Sequence, residues 1–419
     1  MSEPHPLTSM TKVIVIAGAL DTKGQDFSFV KELIQARGHQ TLFIDFGVLE
    51  PPSVEPDIPQ DEVARAGGST IEELRTRKDK TQAMKVMATG LAAIVRKLSD
   101  EGKLAGILGM GGTGGTAIAT TAMRELPFGL PKVMVSTIGG GDISSYVGAH
   151  DVVILPSIVD VAGLNRISRT IYASAAGCIC GMVELKKPPR EHERPLIAAS
   201  MFGNTTQCIE RARSILEERG YEVLVFHATG SGGRTMQSLV EQGCVSALFD
   251  ITTTELADEV CGGVFSAGLE RIEIGAKRRN AAVFAPGCVD MCNFWERSKV
   301  PERYRHRQLY EWNPNVTLMR TNSEENERIG RLLADTANRC LGPTAVVLPL
   351  KGVSMLDSPG APFWDPQADQ SCFEAIRHNL RRDISLVEID ANINEPEFAD
   401  KATEVLLKLL EGEKGLGCD

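Results

Sequence analysis

The residues with the clearest chemical potential are Gly109-Met110-Gly111-Gly112-Thr113-Gly114-Gly115-Thr116, which follow the apolar run Leu104–Leu108 and precede a helical pattern. Bare glycine amides let an anion approach the backbone, threonine hydroxyls add donors, and the helix that follows offers its positive end. The order strand, Gly/Thr-rich turn, helix is the context a phosphate-binding loop requires. The run lacks the Gly-Lys-Ser/Thr of a Walker A loop and matches GxGxxG followed by an acid poorly. The competing reading is a turn that only packs helix tightly on strand. The next strand, Lys132–Ser136, ends in Thr137-Ile138-Gly139-Gly140-Gly141-Asp142, and two such neighbouring turns can enclose one nucleotide. Asp142 suits a ribose hydroxyl or a Mg²⁺ held through water, and equally an N-cap.

Three further groups sit at strand ends or helix starts. Asp21 and Lys23 lie in the turn after the first strand, where Lys23 can neutralise a phosphate or be simply solvated. Asn165 and Arg169 are four apart and share a helix face, with Arg166 beside them. Arginine near a phosphate pocket offers bidentate contacts, while solvation or a salt bridge explains these residues as well. In the second half, His227–Arg234 is a weaker Gly-rich turn. Asp290 and Asn293 follow a strand, and Lys351 lies in a long loop, so the three are candidates to act on a small oxygenated substrate. Polar capping and loop organisation compete with that role. Cys288 reads as a buried inert thiol rather than a nucleophile. The seven His show no HxH or HExxH spacing, so no zinc motif is indicated.

These residues need a scaffold of alternating strands and helices. Apolar runs at Val13–Ile16, Thr41–Phe46, Leu104–Leu108, Lys132–Ser136 and Val152–Leu155 alternate with helical patterns such as Thr81–Leu98 and Gly114–Leu126. The second half repeats the scheme from Leu196–Ala199 to Leu386–Ile389, with Val316–Met319 as one of its strands. Gly38 and Gly220 each stop a helix, 182 residues apart, and the same offset relates Gln25 to Gln207. A duplication explains this spacing. The expected fold is α/β with two Rossmann-like lobes, each a mainly parallel sheet with helices on both faces. The lobes are placed at 1–187 and 195–419, joined by a charged, Pro-rich linker at 188–194. Gly47–Gly68 and Leu350–Ala368 read as long irregular loops.

Composition narrows the function classes. The chain has 419 residues, 42% hydrophobic and 24% charged, which excludes general disorder. Its net charge of −10 disfavours nucleic acid as a partner. No apolar run reaches the roughly 20 residues of a membrane span. Ten Cys without a CxxC pair fit reduced thiols in the cytoplasm.

Taken together, the chain resembles the UPF0261 family, also called the Tm-1-like ATP-binding family. The match rests on Gly18–Gly24, Gly109–Thr116, Ser136–Asp142, Ser157–Arg166, Gly287–Phe294 and Pro349–Asp369, and spans nearly the whole chain. The resemblance implies ATP binding and a homodimer, with Mg²⁺ as an open companion, and implies no particular reaction. Plant members carry a further TIM-barrel-like region. Its absence here raises the expectation of a separately encoded barrel partner. The leading reading is an ATP-binding protein whose first lobe holds the phosphates. The alternative is an enzyme acting on a small or phosphorylated metabolite in a cleft between lobes.

Overall fold

The computed structural model describes residues 12–185 and 194–416. The chain divides into two compact units, Met1–Pro189 and Arg190–Asp419. Most of the expected linker, 188–193, lies outside the described residues.

The first unit runs β1 (Val13–Gly18), α1 (Leu20–Ala36), β2 (Gln40–Asp45), α2 (Gln60–Ala66), α3 (Ile71–Arg77), α4 (Lys80–Asp100) and β3 (Leu104–Gly111). It continues with α5 (Thr113–Arg124), β4 (Lys132–Ser136), α6 (Ser144–Val147), β5 (Val153–Pro156) and α7 (Arg166–Glu184). All five strands are parallel, in the order β2-β1-β3-β4-β5. Alternate side chains of β1 enter different layers. Val15 and Ala17 pack with Met87, Leu91 and Ile118 of α4 and α5. Ile14 and Ile16 pack with Phe27 and Val30 of α1 and Tyr172 and Ile179 of α7. Burial on both faces is why these strands read as unbroken apolar runs.

The second unit holds β6 (Leu196–Met201), α8 (Thr206–Glu218), β7 (Glu222–His227), α9 (Ser231–Glu241), β8 (Ala247–Thr252), α10 (Thr254–Cys261) and β9 (Ala281–Gly287). Then come β10 (Met291–Phe294), β11 (Leu309–Asn313), β12 (Val316–Arg320), α11 (Ser323–Arg339), β13 (Thr344–Pro349), α12 (Pro366–Asn379), β14 (Ser385–Ile389) and α13 (Pro396–Leu416). Six parallel strands form the main sheet, ordered β14-β13-β9-β8-β6-β7. In both units the second strand of the chain lies outside the first, and the third lies on the first strand's other side.

The helix ends repeat as well. Gly38 N–H donates to Gln35 O and His39 N–H to Ile34 O; Gly220 N–H donates to Glu217 O and Tyr221 N–H to Leu216 O. Every member of the second set stands 182 residues after its counterpart. Both glycines are left-handed, φ +86° and +88°. A Cβ at either would meet nothing within 4 Å, so only conformation opposes it. We predict that Gly38→Ala and Gly220→Ala each lower stability by about 1 kcal/mol, read as a lower urea midpoint. An unchanged midpoint would contradict this account of the turns.

Two local expectations need correction. Val316–Met319 belongs not to the parallel array but to β12, the centre of a separate antiparallel sheet ordered β10-β12-β11. Pro314 and Asn315 alone separate β11 from β12, too short a connection for a parallel crossover. The stretch Gly47–Gly68 contains α2, with Val63 and Ala64 buried. Helix α10 ends at Cys261, where Gly262 adopts φ +76°.

Candidate functional site

In open parallel sheets, ligands bind beyond the carboxyl ends of the strands, where neighbouring crossovers leave to opposite faces. In the first unit that point lies between β1 and β3, because α1, which follows β1, and α5, which follows β3, cover opposite faces of the sheet. A cavity of about 790 Å³ opens there, within the range of small-molecule sites. Asp21, Lys23, Gly111, Gly112, Gly114 and Gly115 line it.

The glycines of this turn do different work. At Gly109 an added Cβ would meet Ala119 Cβ at 2.9 Å and Met134 Sδ at 3.0 Å, so this glycine serves close packing. At Gly114 the nearest atom is Met84 Cε at 3.7 Å, and at Gly115 it is Met110 O at 3.6 Å. These two are open toward the cavity. Gly112 is the N-cap of α5 and offers no side-chain cap. Thr116 N–H already bonds Gly112 O, which leaves the amides of Thr113, Gly114 and Gly115 as the free end of the helix. Thr116 itself is buried, and its hydroxyl bonds Ser136 Oγ at 2.7 Å. Thr113 is exposed and does not line the cavity.

One wall is apolar, formed by Leu74, Ala83, Met84, Met87 and Ile118. The rim carries Arg75, Lys78 and Lys80. Arg75 is fixed by Val48 O at 2.8 Å. Lys78 closes α3 in the left-handed region at φ +53°, an unusual conformation for a residue with a side chain. Asp79 N-caps α4 through Gln82 N–H at 3.0 Å. The sequence reading missed these rim cations. The run Arg77-Lys78-Asp79-Lys80 was the available signal, but no strand precedes it.

Other expected residues are fixed elsewhere. Lys23 Nζ donates to Val161 O, tying α1 to the segment before α7. Asp21 Oδ2 accepts from Leu49 N–H at 3.0 Å, while Oδ1 is buried without a partner. Gly139, Gly140, Gly141 and Asp142 do not line the cavity, and Asp142 accepts from Ser144 N–H at 2.9 Å. Asn165 is the N-cap of α7, in a reciprocal box with Ser168. Arg169 lies over the Phe29 ring at 5.2 Å, and Arg166 is exposed. Neither arginine lines the cavity. Asp45, at the end of β2, accepts from Leu20 N–H at 3.0 Å and Gly47 N–H at 2.8 Å; burial pushes it up to about 6.

The second unit treats its own Gly-rich turn differently. Glu255 Oε1 accepts from Gly230 N–H at 2.8 Å and Gly233 N–H at 3.0 Å, at the start of α9. An internal carboxylate therefore occupies the anion position. Arg271 balances it, with Nε 2.9 Å from Glu255 and Nη2 2.6 Å from Asp250, all three buried. The catalytic candidates are also engaged. Asp290 accepts from Ser354 Oγ at 2.8 Å, Asn293 donates to Asp258 at 2.8 Å, and exposed Lys351 pairs with Asp390 at 2.9 Å.

Three buried acids of this unit are held protonated more readily than usual. Burial pushes Asp258 up to about 7. Burial and the neighbouring Asp357 raise Asp290 and Asp369, although Arg320 is 2.7 Å from Asp369. A carboxyl whose folded value exceeds its unfolded value binds its proton more tightly in the folded state, so folding weakens as pH rises through that window. We predict a lower urea midpoint at pH 8 than at pH 5.5, with a smaller difference in Asp258→Asn. A midpoint that rises with pH would contradict the raised values.

The sequence comparisons agree with this two-unit organisation. Residues 12–188 match the N-terminal domain of the "Uncharacterised protein family (UPF0261)", and residues 194–410 match its C-terminal domain. A UPF0261 protein of Clostridium tetani is 45% identical over 403 residues, covering 96% of this chain and 100% of that protein. Another, from Rhizobium meliloti, is 41% identical and covers 93% of this chain and 97% of its own length. The ToMV resistance protein Tm-1(GCR237) of Solanum lycopersicum is 36% identical, over 80% of this chain and 46% of the tomato protein. The chain belongs to the UPF0261 family.

Proposed function

We propose that the first unit binds ATP, with its phosphates on the free amides of Gly114 and Gly115. The observation that carries this reading is the contrast between the two Gly-rich turns. The α9 turn is filled by Glu255, whereas the α5 turn opens, without a cap, into the cavity at the β1/β3 crevice. An uncapped helix start beside lysines suits a polyphosphate. The wall of Leu74, Met84, Met87 and Ile118 suits the flat apolar face of an adenine. A Mg²⁺ accompanying the phosphates fits the unpartnered Asp21 Oδ1 and Asp160, which lines the same cavity.

Titration calorimetry with ATP tests the reading. The expected result is one ATP per chain, with binding weakened by salt because charge supplies part of the affinity. No heat with ATP or ADP would overturn it. The homodimer, a separately encoded barrel partner and residence in the cytoplasm belong to the same proposal. Light scattering at twice the chain mass is the result expected for the dimer.

A further inference from the structure

A second cluster of chemically active side chains stands at the opposite, amino edge of the first sheet. Cys180 and Glu184 are four apart near the end of α7 and share a face. His39 follows the Gly38 turn that ends α1 and immediately precedes β2. Helices α1 and α7 pack on the same face of the sheet, through Val30, Ile34, Ala176 and Ile179, so the three residues are carried by a rigid frame. One donor atom from each of His39, Cys180 and Glu184 lies within 4.8 Å of the others. His39 Nε2 is 2.9 Å from Glu184 Oε1.

From this geometry we propose that His39, Cys180 and Glu184 form a binding site for a zinc-class divalent cation. A thiolate, an imidazole and a carboxylate are the mixed donor set that Zn²⁺ accepts in tetrahedral geometry. Bonds of roughly 2.0–2.3 Å place tetrahedral donors about 3.3–3.8 Å apart. To reach that spacing from donors now within 4.8 Å of one another, the thiol must close in and the imidazole and carboxylate, 2.9 Å apart, must part slightly. Three protein donors leave the fourth position to water.

The charges also suit a cation. Arg37 Nη2 holds Glu184 Oε2 at 2.7 Å, and its Nε reaches Oε1 at 3.2 Å. On binding, the Oε2 contact can persist as an outer partner that orients the carboxylate. Thiolate and carboxylate bring two negative charges, against which the Arg37 guanidinium sets one positive. Cys180 is fully buried and its thiol is raised by that burial. Binding therefore moves the thiol proton to solvent, and affinity rises with pH. Such an ion would clamp the end of α1 to the end of α7. The sequence patterns for zinc failed here because the donors come from two distant segments.

Cobalt(II) titration of the full chain tests the site, because Co²⁺ reports thiolate ligation by a near-ultraviolet charge-transfer band and tetrahedral geometry by visible bands. The expected result is one Co²⁺ per chain with both signals, displaced by Zn²⁺. Cys180→Ala should abolish the charge-transfer band. His39→Gln, at a partly exposed side chain, should weaken Co²⁺ binding by more than about a hundredfold, beyond the loss of an outer partner. Cys178→Ala should leave the titration unchanged. Absence of the charge-transfer band in the parent chain, or its persistence at full affinity in His39→Gln, overturns the proposal. Should Cys180→Ala fail to fold, the His39→Gln result decides alone.

Discussion

Gly114→Val is expected to reduce ATP affinity by at least about a hundredfold, close to 2.7 kcal/mol, while the protein stays folded. A Cβ at this position meets only the Met84 side chain, Cε at 3.7 Å and Sδ at 3.8 Å, both ordinary contacts. Gly114 lines the cavity, so the additional methyls take up space at the site itself. In helix preference valine is no worse than the glycine it replaces, so propensity does not oppose the change. Calorimetry with ATP and thermal melting of the same sample separate the two effects. Retained affinity would reject the site. Lost affinity together with a collapsed melt would leave Gly115→Ala to decide, since its nearest contact is Met110 O at 3.6 Å.

Arg271→Met is expected to destabilise the second unit by about 3–5 kcal/mol, because it strands two buried carboxylates. Asp250 and Glu255 each lose a charged partner, at 2.6 and 2.9 Å. Burial already raises Glu255, so removing Arg271 favours protonation further. The deficit should therefore shrink as pH falls toward 5, where protonation relieves the stranded charge. Chemical denaturation at pH 5 and pH 8 measures both the loss and its direction. A loss below about 1 kcal/mol, or one that grows on acidification, would contradict the role given to this triad.

Much of this architecture was legible because parallel strands buried on both faces write themselves as apolar runs such as Val13–Ile16 and Lys132–Ser136. The left-handed Gly38 and Gly220 were equally legible, since only glycine takes that conformation without strain. The antiparallel sheet was hidden. β11 reads Leu-Tyr-Glu-Trp-Asn with three exposed positions and carries no clean alternation. At the site, Gly111–Gly115 could be found because glycine spacing after a strand is a local signal. Lys78 and Lys80 could not, because only the fold of α3 and α4 brings them over the β1/β3 crevice. Nor could the filling of the His227–Arg234 turn, which depends on a carboxylate supplied by α10. Asp142 and Asn165 illustrate the reverse: polar residues at helix starts whose local hydrogen bonds account for them.

The most direct measurement is a crystal structure of the chain grown with a non-hydrolysable ATP analogue. The prediction is phosphate oxygens about 3 Å from the amide nitrogens of Gly114 and Gly115, with the base against Met84 and Met87. A nucleotide seated only in the second unit, or a cavity left empty at saturating analogue, would contradict it.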